Sequence, residues 1–143
     1  MDKFNFDQVI KRMEAAKSTL PTKLANQAQN YFVQTFTRQE FAGAKWKEVQ
    51  RRIPGTKAYL YPKSKGLSRQ TKPILVGTGK LRQAVAASVR DVSFEMIRLV
   101  VALPYAAFVN YGKDKRKFMG DSLELRKQQK VKIINEYNKV WHL

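Results

Sequence analysis

The segment of this sequence that most suggests chemistry is Gly77-Thr78-Gly79-Lys80, which superficially looks like a phosphate cradle. The P-loop pattern needs four residues between its two glycines, followed by Lys and then Ser or Thr, and that spacing is missing. The dinucleotide pattern G-x-G-x-x-G fails as well, because Arg82 stands where its last glycine belongs. The segment therefore predicts a turn and not a nucleotide site.

The sequence lacks the side-chain groups that usually carry out acid–base, metal and thiol chemistry. The sole histidine is His142, the penultimate residue, where chain ends fray. The eleven acidic residues form neither an EF-hand loop nor the carboxylate cluster of a metal-dependent nuclease, and there is no nucleophile elbow. Cysteine is absent, which excludes disulfides and Cys-based metal sites. We therefore expect no enzyme, with no catalytic, cofactor-binding or metal-binding residue.

The strongest chemical signal is positive charge, because 28 basic residues against 11 acidic ones give a net charge of +17. Residues 41–72 carry nine basic side chains and one acidic one, and residues 113–143 carry nine and four. Such charge attracts polyanions and acidic protein surfaces. The candidate contact residues are Arg51, Arg52, Lys57, Lys63, Lys65, Arg69, Lys72, Lys113, Lys115, Arg116 and Lys117.

Residues 51–73 are the least core-like part of the chain and predict a long basic loop, punctuated by proline, glycine and serine. Tyr59 and Tyr61 lie among the basic residues, where they could stack on bases while the charges hold phosphates. The alternative, which we favour, is a mobile loop that becomes ordered only in an assembly.

The length of 143 residues indicates one domain: a helical arm over 1–40, the basic loop over 51–73, and an α+β core with a C-terminal helix over 74–143. The N-terminus lacks the layout of a signal peptide, and the apolar runs are too short to span a bilayer. We therefore expect a soluble, intracellular protein without a membrane partner.

The first third of the chain predicts a long helix over residues 6–39, because apolar residues recur there at steps of three and four. Pro21 lacks an amide donor and clashes with the preceding turn, so we expect a break near Leu20 and Pro21. Two separate helices are the alternative. Trp46 follows and is expected to pack as a large apolar anchor.

Short strands and helices are predicted beyond the basic loop. Residues 74–76 suggest a strand, and Thr78 is the expected cap of a helix over Lys80–Ala86. A hairpin is expected from residues 88–92 and 95–103, with its turn near Ser93. The apolar run 99–103 indicates a strand that is buried on both faces or lies at a subunit contact.

The last part of the chain predicts two helices. Pro104 introduces a short apolar helix over residues 105–111, which Gly112 ends. Phe118 is expected to be buried, and Gly120 to allow a tight bend. Asp121 and Glu124 are the expected capping pair of a final helix that runs from Ser122 to Tyr137 or beyond. Its apolar side consists of Val131, Ile134, Tyr137 and Trp141. Together these elements predict an α+β fold.

Three short segments in fixed order resemble one protein family. They are Ile74-Leu75-Val76-Gly77-Thr78-Gly79-Lys80-Leu81-Arg82, then Pro104-Tyr105-Ala106-Ala107-Phe108-Val109-Asn110-Tyr111-Gly112, then Arg116-Lys117-Phe118-Met119-Gly120-Asp121-Ser122. Their "TG-x-L", "YA…G" and "R-x-F-x-G-x-S" patterns resemble the phage virion morphogenesis family, the tail-completion or neck proteins of Mu-like phages and many prophages. The residues that carry the likeness are Trp46, Gly77, Thr78, Gly79, Leu81, Tyr105, Ala106, Gly112, Phe118 and Gly120.

The resemblance implies a fold similar to that of tail-terminator and head–tail joining proteins, which assemble into rings. It implies a virion component that is assembled in the bacterial host cytoplasm, with copies of itself, neck or tail-tube proteins and channel DNA as partners, and by analogy a hexamer. Residues 96–103 and 105–111 would then form core and subunit contacts. The alternative function is a small basic DNA- or RNA-binding protein that acts through phosphate contacts.

This chain departs from the family pattern in two places. The family segment commonly reads "P-x-R-x-F-x-G", whereas residues 113–118 lack the proline and are far more basic. The helix that follows also carries more positive charge than the family pattern suggests. These departures affect which docking partner the resemblance implies.

Overall fold

The computed structural model describes residues 4–61, 73–76, 78–113 and 115–142, and it has an α+β fold. The helices are α1 (Phe6–Arg38), α2 (Lys57–Leu60), α3 (Lys80–Ala86), α4 (Ala106–Tyr111) and α5 (Leu123–Trp141), with a short 3₁₀ helix at Gln50–Arg52. The strands are β1 (Glu40–Phe41), β2 (Ala44–Lys45), β3 (Val89–Val92) and β4 (Ile97–Leu99). They form two antiparallel hairpins, β1-β2 and β3-β4.

The chain divides into two compact units. Unit 1 is formed by the described parts of 1–31, 88–100 and 121–143, and it contains the β3-β4 hairpin and α5. Unit 2 is formed by the described parts of 32–87 and 101–120, and it contains the β1-β2 hairpin, α3 and α4. Helix α1 contributes its first part to unit 1 and its last two turns to unit 2.

Helix α1 confirms the predicted N-terminal helix to within one residue, but it continues through Pro21. The alternative of two separate helices is therefore wrong. Proline removes only one backbone hydrogen bond from a helix. Pro21 is itself buried, and Val9 and Ala25 are buried on either side of it. Packing of these buried residues within unit 1 maintains the helix across the missing hydrogen bond.

The β1-β2 hairpin immediately after α1 was not predicted from the sequence. Its two turn residues, Ala42 and Gly43, have φ angles of 50° and 82°. A two-residue turn with both φ angles positive matches the twist of the flanking strands. Gln39 also has a positive φ and ends α1, and its carbonyl accepts a hydrogen bond from the Trp46 N–H at 2.8 Å. The hairpin thus returns Trp46 to the end of α1.

The strand predicted at residues 74–76 is wrong, because these residues form a turn. Leu75 has a φ of 59°, which is incompatible with an extended strand. The Gln39 side chain replaces the missing strand partner, since its Oε1 accepts from the Ile74 N–H at 2.9 Å and its Nε2 donates to the Ile74 carbonyl at 3.2 Å.

Helix α3 confirms the prediction for Lys80–Ala86, although its cap differs. The N-cap is Gly79, with a φ of 77°, and no side chain caps the helix, so the prediction of Thr78 as the cap is wrong. A positive φ at this position favours glycine. Gly77 lies outside the described residues.

The β3-β4 hairpin confirms the predicted turn at Ser93, whose N–H donates to the Met96 carbonyl at 2.8 Å. The second strand is shorter than predicted and ends at Leu99. Val100 is 41% exposed and Ala102 is exposed, so the idea that residues 99–103 are buried on both faces of a strand is wrong for this chain. The alternative, a subunit contact, stays a prediction.

Helices α4 and α5 confirm the last two predicted helices, with α5 extending to Trp141. Gly112 ends α4, and a Cβ added there would overlap the Phe108 carbonyl oxygen, so this position requires glycine. The capping pair predicted for Asp121 and Glu124 is wrong. Ser122 is the N-cap of α5 and accepts from the Leu125 N–H at 3.3 Å.

Candidate assembly and polyanion-binding surfaces

An apolar groove of about 370 Å³ lies in unit 1 between the first half of α1, the tip of the β3-β4 hairpin and α5. Its walls are mostly aliphatic and aromatic side chains, namely Met13, Ala16, Leu20, Phe94, Ile133, Tyr137 and Val140. The charged residues in its lining are Glu14, Lys17 and Glu136. Only Val140 among the apolar side chains is fully buried. The groove therefore offers apolar surface that the described chain does not cover.

Helix α5 also presents an exposed apolar stripe, which is formed by Val131, Ile134, Tyr137 and Trp141. These residues are three and four positions apart, so they lie on one face of the helix. Their exposed fractions range from 43% to 57%. The face of α5 that packs into unit 1 is a different one, where Leu125 and Val140 are buried. The predicted apolar side of the last helix thus exists, but it does not form core.

The groove and the stripe form one continuous apolar surface, because Tyr137 belongs to both. The rings of Tyr137 and Trp141 are 5.9 Å apart, centroid to centroid. At the other end of the groove, Phe94 is 65% exposed and its ring lies 5.1 Å from the Lys17 ammonium. We call this combined surface the apolar face of unit 1.

A charged pair fixes α5 to α1 next to the groove. The Glu136 carboxylate is nearly buried and accepts from Lys23 Nζ at 2.8 Å and from Lys139 Nζ at 3.0 Å. The hydrogen bond from Lys23, and then that from Lys139, lower the pKa of Glu136 from 4.5 to about 2. Burial alone would raise this pKa, so the two ammonium groups outweigh the loss of solvation.

The start of α5 is also held against α1 in unit 1. The Tyr31 hydroxyl lies 2.8 Å from the Ser122 hydroxyl, and it donates to Glu124 Oε2 at 3.2 Å. Ser122 therefore caps its own helix and contacts a neighbouring one at the same time. The sequence signal for this role was a serine directly before a helical apolar pattern.

The core of unit 2 brings together two of the three aromatic residues that carry the family likeness, whereas the third, Tyr105, is 45% exposed. Trp46 and Phe118 are buried, and both rings pack 5.6 Å from the ring of Phe36, centroid to centroid. The Trp46 Nε1–H donates to the Lys117 carbonyl at 2.7 Å. Trp46 is therefore a packed anchor, as predicted, and its single polar atom holds the segment that precedes Phe118.

Asn110 on α4 organises the turn after Phe118, and no sequence pattern indicates this role. It is buried, and its Oδ1 accepts from the Phe118 N–H at 2.9 Å and the Met119 N–H at 3.2 Å. Its Nδ2 donates to the Met119 carbonyl at 3.0 Å. Leu81 and Ala106 are also buried in unit 2. Gly120 follows with a φ of 145°, where glycine is favoured.

Several of the predicted polyanion contacts bond within the protein. Arg51 Nη2 donates to the Pro73 carbonyl at 3.1 Å, and Arg52 Nε lies 3.3 Å from Glu48 Oε1. Arg116 Nε donates to the Lys47 carbonyl at 3.1 Å, and the Lys117 ammonium lies 4.9 Å from the centre of the Phe41 ring.

The other predicted contacts divide between the surface and the undescribed positions. Lys57, Lys113 and Lys115 are exposed. Lys63, Lys65, Arg69 and Lys72 lie outside the described residues.

A second groove, of about 530 Å³, lies in unit 2 and was missed by sequence reasoning. Its basic lining residues come from four elements and are Arg38, Lys45, Arg52 and Arg82. Glu48 is the acidic residue in the lining. Arg38 is on α1, Lys45 on β2 and Arg82 on α3, positions that are far apart in sequence. Lys45 and Arg52 lie in the basic stretch 41–72, but only the fold brings them together with Arg38 and Arg82.

Among the described residues, no group of three or more His, Asp or Glu side chains is placed to hold a metal ion. None of the described helices combines the length and the apolar character needed to cross a bilayer.

Comparison of this chain with family models, with curated proteins and with solved structures gave no match.

Proposed function

We propose that this chain is a non-enzymatic phage assembly protein of the head–tail connector or the tail terminus, which completes the virion by forming a ring and docking. The observation that supports this proposal is the apolar face of unit 1. Contiguous exposed apolar surface on a folded protein usually marks an interaction site. The order of the three family-like segments supports the phage assignment, and the buried positions of Trp46, Leu81, Ala106 and Phe118 fit residues that maintain a fold.

The occupant of the apolar face is a second copy of this chain. A ring needs one surface that recurs on every subunit and is covered by the next subunit. The stripe on α5 is a narrow row of side chains, and the groove beside it has room for side chains of that size. Burying an aliphatic or aromatic side chain contributes about 1.5–3 kcal/mol, so a few such contacts are enough to overcome a modest association cost.

The net charge of +17 opposes this association, because every copy repels the next. Salt screens that repulsion, so self-association should strengthen as salt concentration rises. Binding to a nucleic acid should weaken under the same conditions, because salt competes for the phosphates. The two behaviours therefore respond to salt in opposite directions.

The test is the mass of the purified chain in solution, measured by light scattering over a wide range of protein concentration. We expect wild type to form multiples of the 16.5 kDa chain at high concentration. Ile134→Glu places a charge in the stripe and should weaken association about ten-fold or more, since interface centres tolerate such changes poorly. Gln128→Glu is the control for an added charge, because Gln128 is exposed on the same helix and is not one of the stripe residues.

Two outcomes would overturn the proposal. One is a wild-type protein that remains monomeric at high concentration and also fails to bind neck or tail-tube proteins. The other is equal weakening by Ile134→Glu and Gln128→Glu, which would mean that the stripe is not the contact.

The second candidate function is a small basic DNA- or RNA-binding protein that acts through phosphate contacts. The basic groove of unit 2 favours it. It predicts that the isolated monomer binds nucleic acid with a steep salt dependence. Measuring nucleic-acid binding and self-association over the same range of salt concentration separates it from self-assembly.

A further inference from the structure

The groove of unit 2 is strongly cationic, because Arg38, Lys45, Arg52 and Arg82 line it against the single carboxylate of Glu48. That carboxylate is already paired, since Glu48 Oε1 lies 3.3 Å from Arg52 Nε. Three basic side chains in the lining, those of Arg38, Lys45 and Arg82, belong to exposed residues. The C-terminal end of α1 adds a partial negative charge of about half a unit, which the basic residues outweigh.

The floor of this groove is held in place by polar contacts within unit 2. Gln39 donates to the Phe36 carbonyl at 3.0 Å and bonds both backbone groups of Ile74. Arg52 Nη1 also donates to Gln39 Oε1, at 3.4 Å. Gln39 and Leu75 both have positive φ angles, which non-glycine residues seldom adopt. The backbone at this groove is therefore fixed by specific contacts in an uncommon conformation.

Arg82 is positioned toward the same groove by a neighbouring hydroxyl. Its Nη2 lies 3.5 Å from the Thr37 Oγ1, and Thr37 also lines the groove. A guanidinium presents several donors in a planar fork, which suits two oxygens of one phosphate. Arg38, on the adjacent residue of α1, provides a second guanidinium.

The chemistry of the lining favours phosphate over bases. Proteins that bind single strands usually offer exposed aromatic faces on which bases stack. The two aromatic residues of this lining, Phe36 and Trp46, are buried, and the Trp46 Nε1–H already bonds the Lys117 carbonyl. Among the described lining residues three of the four cations are exposed and the aromatic rings are buried, which suits a phosphate backbone whose bases are stacked away from the protein, as in a duplex.

We propose that the groove of unit 2 binds the phosphate backbone of double-stranded DNA, with Arg38, Lys45 and Arg82 as the contact residues. These three contact residues lie outside the basic segments 51–73 and 113–117 that the sequence indicates, although Arg52 and Pro73 of the first segment also line the groove. The inference does not depend on self-assembly, because the groove lies within one unit of one chain.

The experiment compares two triple variants of the full-length protein that remove the same charge. The first is Arg38→Ala, Lys45→Ala and Arg82→Ala in the groove. The second is the control, Lys11→Ala, Lys127→Ala and Lys130→Ala, at exposed positions in unit 1. Binding to a random-sequence DNA duplex is measured by fluorescence anisotropy at several salt concentrations. Circular dichroism confirms folding, and light scattering follows self-association separately.

We expect the groove variant to bind DNA more weakly and to lose about 2.7 from the slope of log affinity against log salt, which corresponds to three phosphate contacts. Between 50 and 200 mM salt, the groove variant should therefore lose about 40-fold less affinity than the wild type loses. The control should retain most of the wild-type slope. Equal losses in the two variants would overturn the proposal, because diffuse charge would then explain the binding.

Two further measurements sharpen the test. Glu48→Gln removes the only carboxylate of the lining, so it should strengthen duplex binding, and unchanged or weaker binding would count against the site. Single-stranded RNA and polyglutamate serve as competitors for the same groove. If either displaced the duplex at equal charge concentration, the ligand would be a different polyanion and the duplex assignment would fail. Unchanged self-association in the groove variant would show that the two surfaces act separately.

Discussion

Asn110→Ala should destabilise unit 2 by about 3 kcal/mol, although the residue lines neither of the two grooves described above. The substitution deprives the buried Phe118 N–H, and the part-buried N–H and carbonyl of Met119, of their partner. Each buried polar group left without a hydrogen bond costs about 1–3 kcal/mol, and relaxation of the turn should recover part of the sum. Asn110→Asp keeps the acceptor and loses the donor, so its cost should be intermediate.

The assay is urea unfolding followed by tryptophan fluorescence in a Trp141→Phe background. The chain has two tryptophans, and Trp46 is the one in unit 2, so the remaining emission reports that unit. The matched control is Asn138→Ala, because Asn138 is exposed on α5 and its loss should change stability by less than about 0.5 kcal/mol. If Asn110→Ala cost no more than this control, the turn after Phe118 would not depend on Asn110.

Three further predictions concern single residues. Glu136 has a lower pKa in the folded than in the unfolded protein, so its contribution to stability is complete above pH 4.5 and is lost as the pH falls toward about 2. Glu136→Gln should therefore make the free energy of unfolding depend less on pH in that range. An unchanged pH profile would contradict the pairing. Ser122→Ala should cost about 1 kcal/mol in urea unfolding through the lost helix cap, while Ser122→Thr should retain most of it. Gly112→Ala should lower the melting temperature measured by circular dichroism by several degrees, because the alanine methyl group would overlap the Phe108 carbonyl oxygen. A melting temperature equal to that of the wild type would show that α4 does not need glycine at its C-terminal end.

The long helices and the buried aromatics could be predicted from the sequence because their signals are local. The apolar period of α1 and the glycine after α4 each act within a few residues, whereas the cap of α5 was assigned to Asp121 and Glu124 and not to Ser122. Trp46 and Phe118 were expected to be buried from residue type and position, and they are. The break predicted near Leu20 and Pro21 is wrong, because the packing on both sides of Pro21 is not visible in the sequence.

The surfaces could not be predicted from local patterns. The sequence shows the apolar side of α5, but only the fold shows that this side is exposed and that Leu125 and Val140 occupy the inner face. The basic groove depends on residues from α1, β2 and α3, so no segment of sequence contains it. Gln39 replaces a strand partner for Ile74 through its side chain, a role that no propensity indicates.

The most direct test of the central proposal is electron microscopy of the purified wild-type chain at high protein and salt concentration. We predict closed rings with cyclic symmetry, in which the apolar face of unit 1 is covered by the neighbouring subunit, and we predict that Ile134→Glu abolishes them. Fields of single particles of 16.5 kDa, or rings that persist unchanged in Ile134→Glu, would contradict the account.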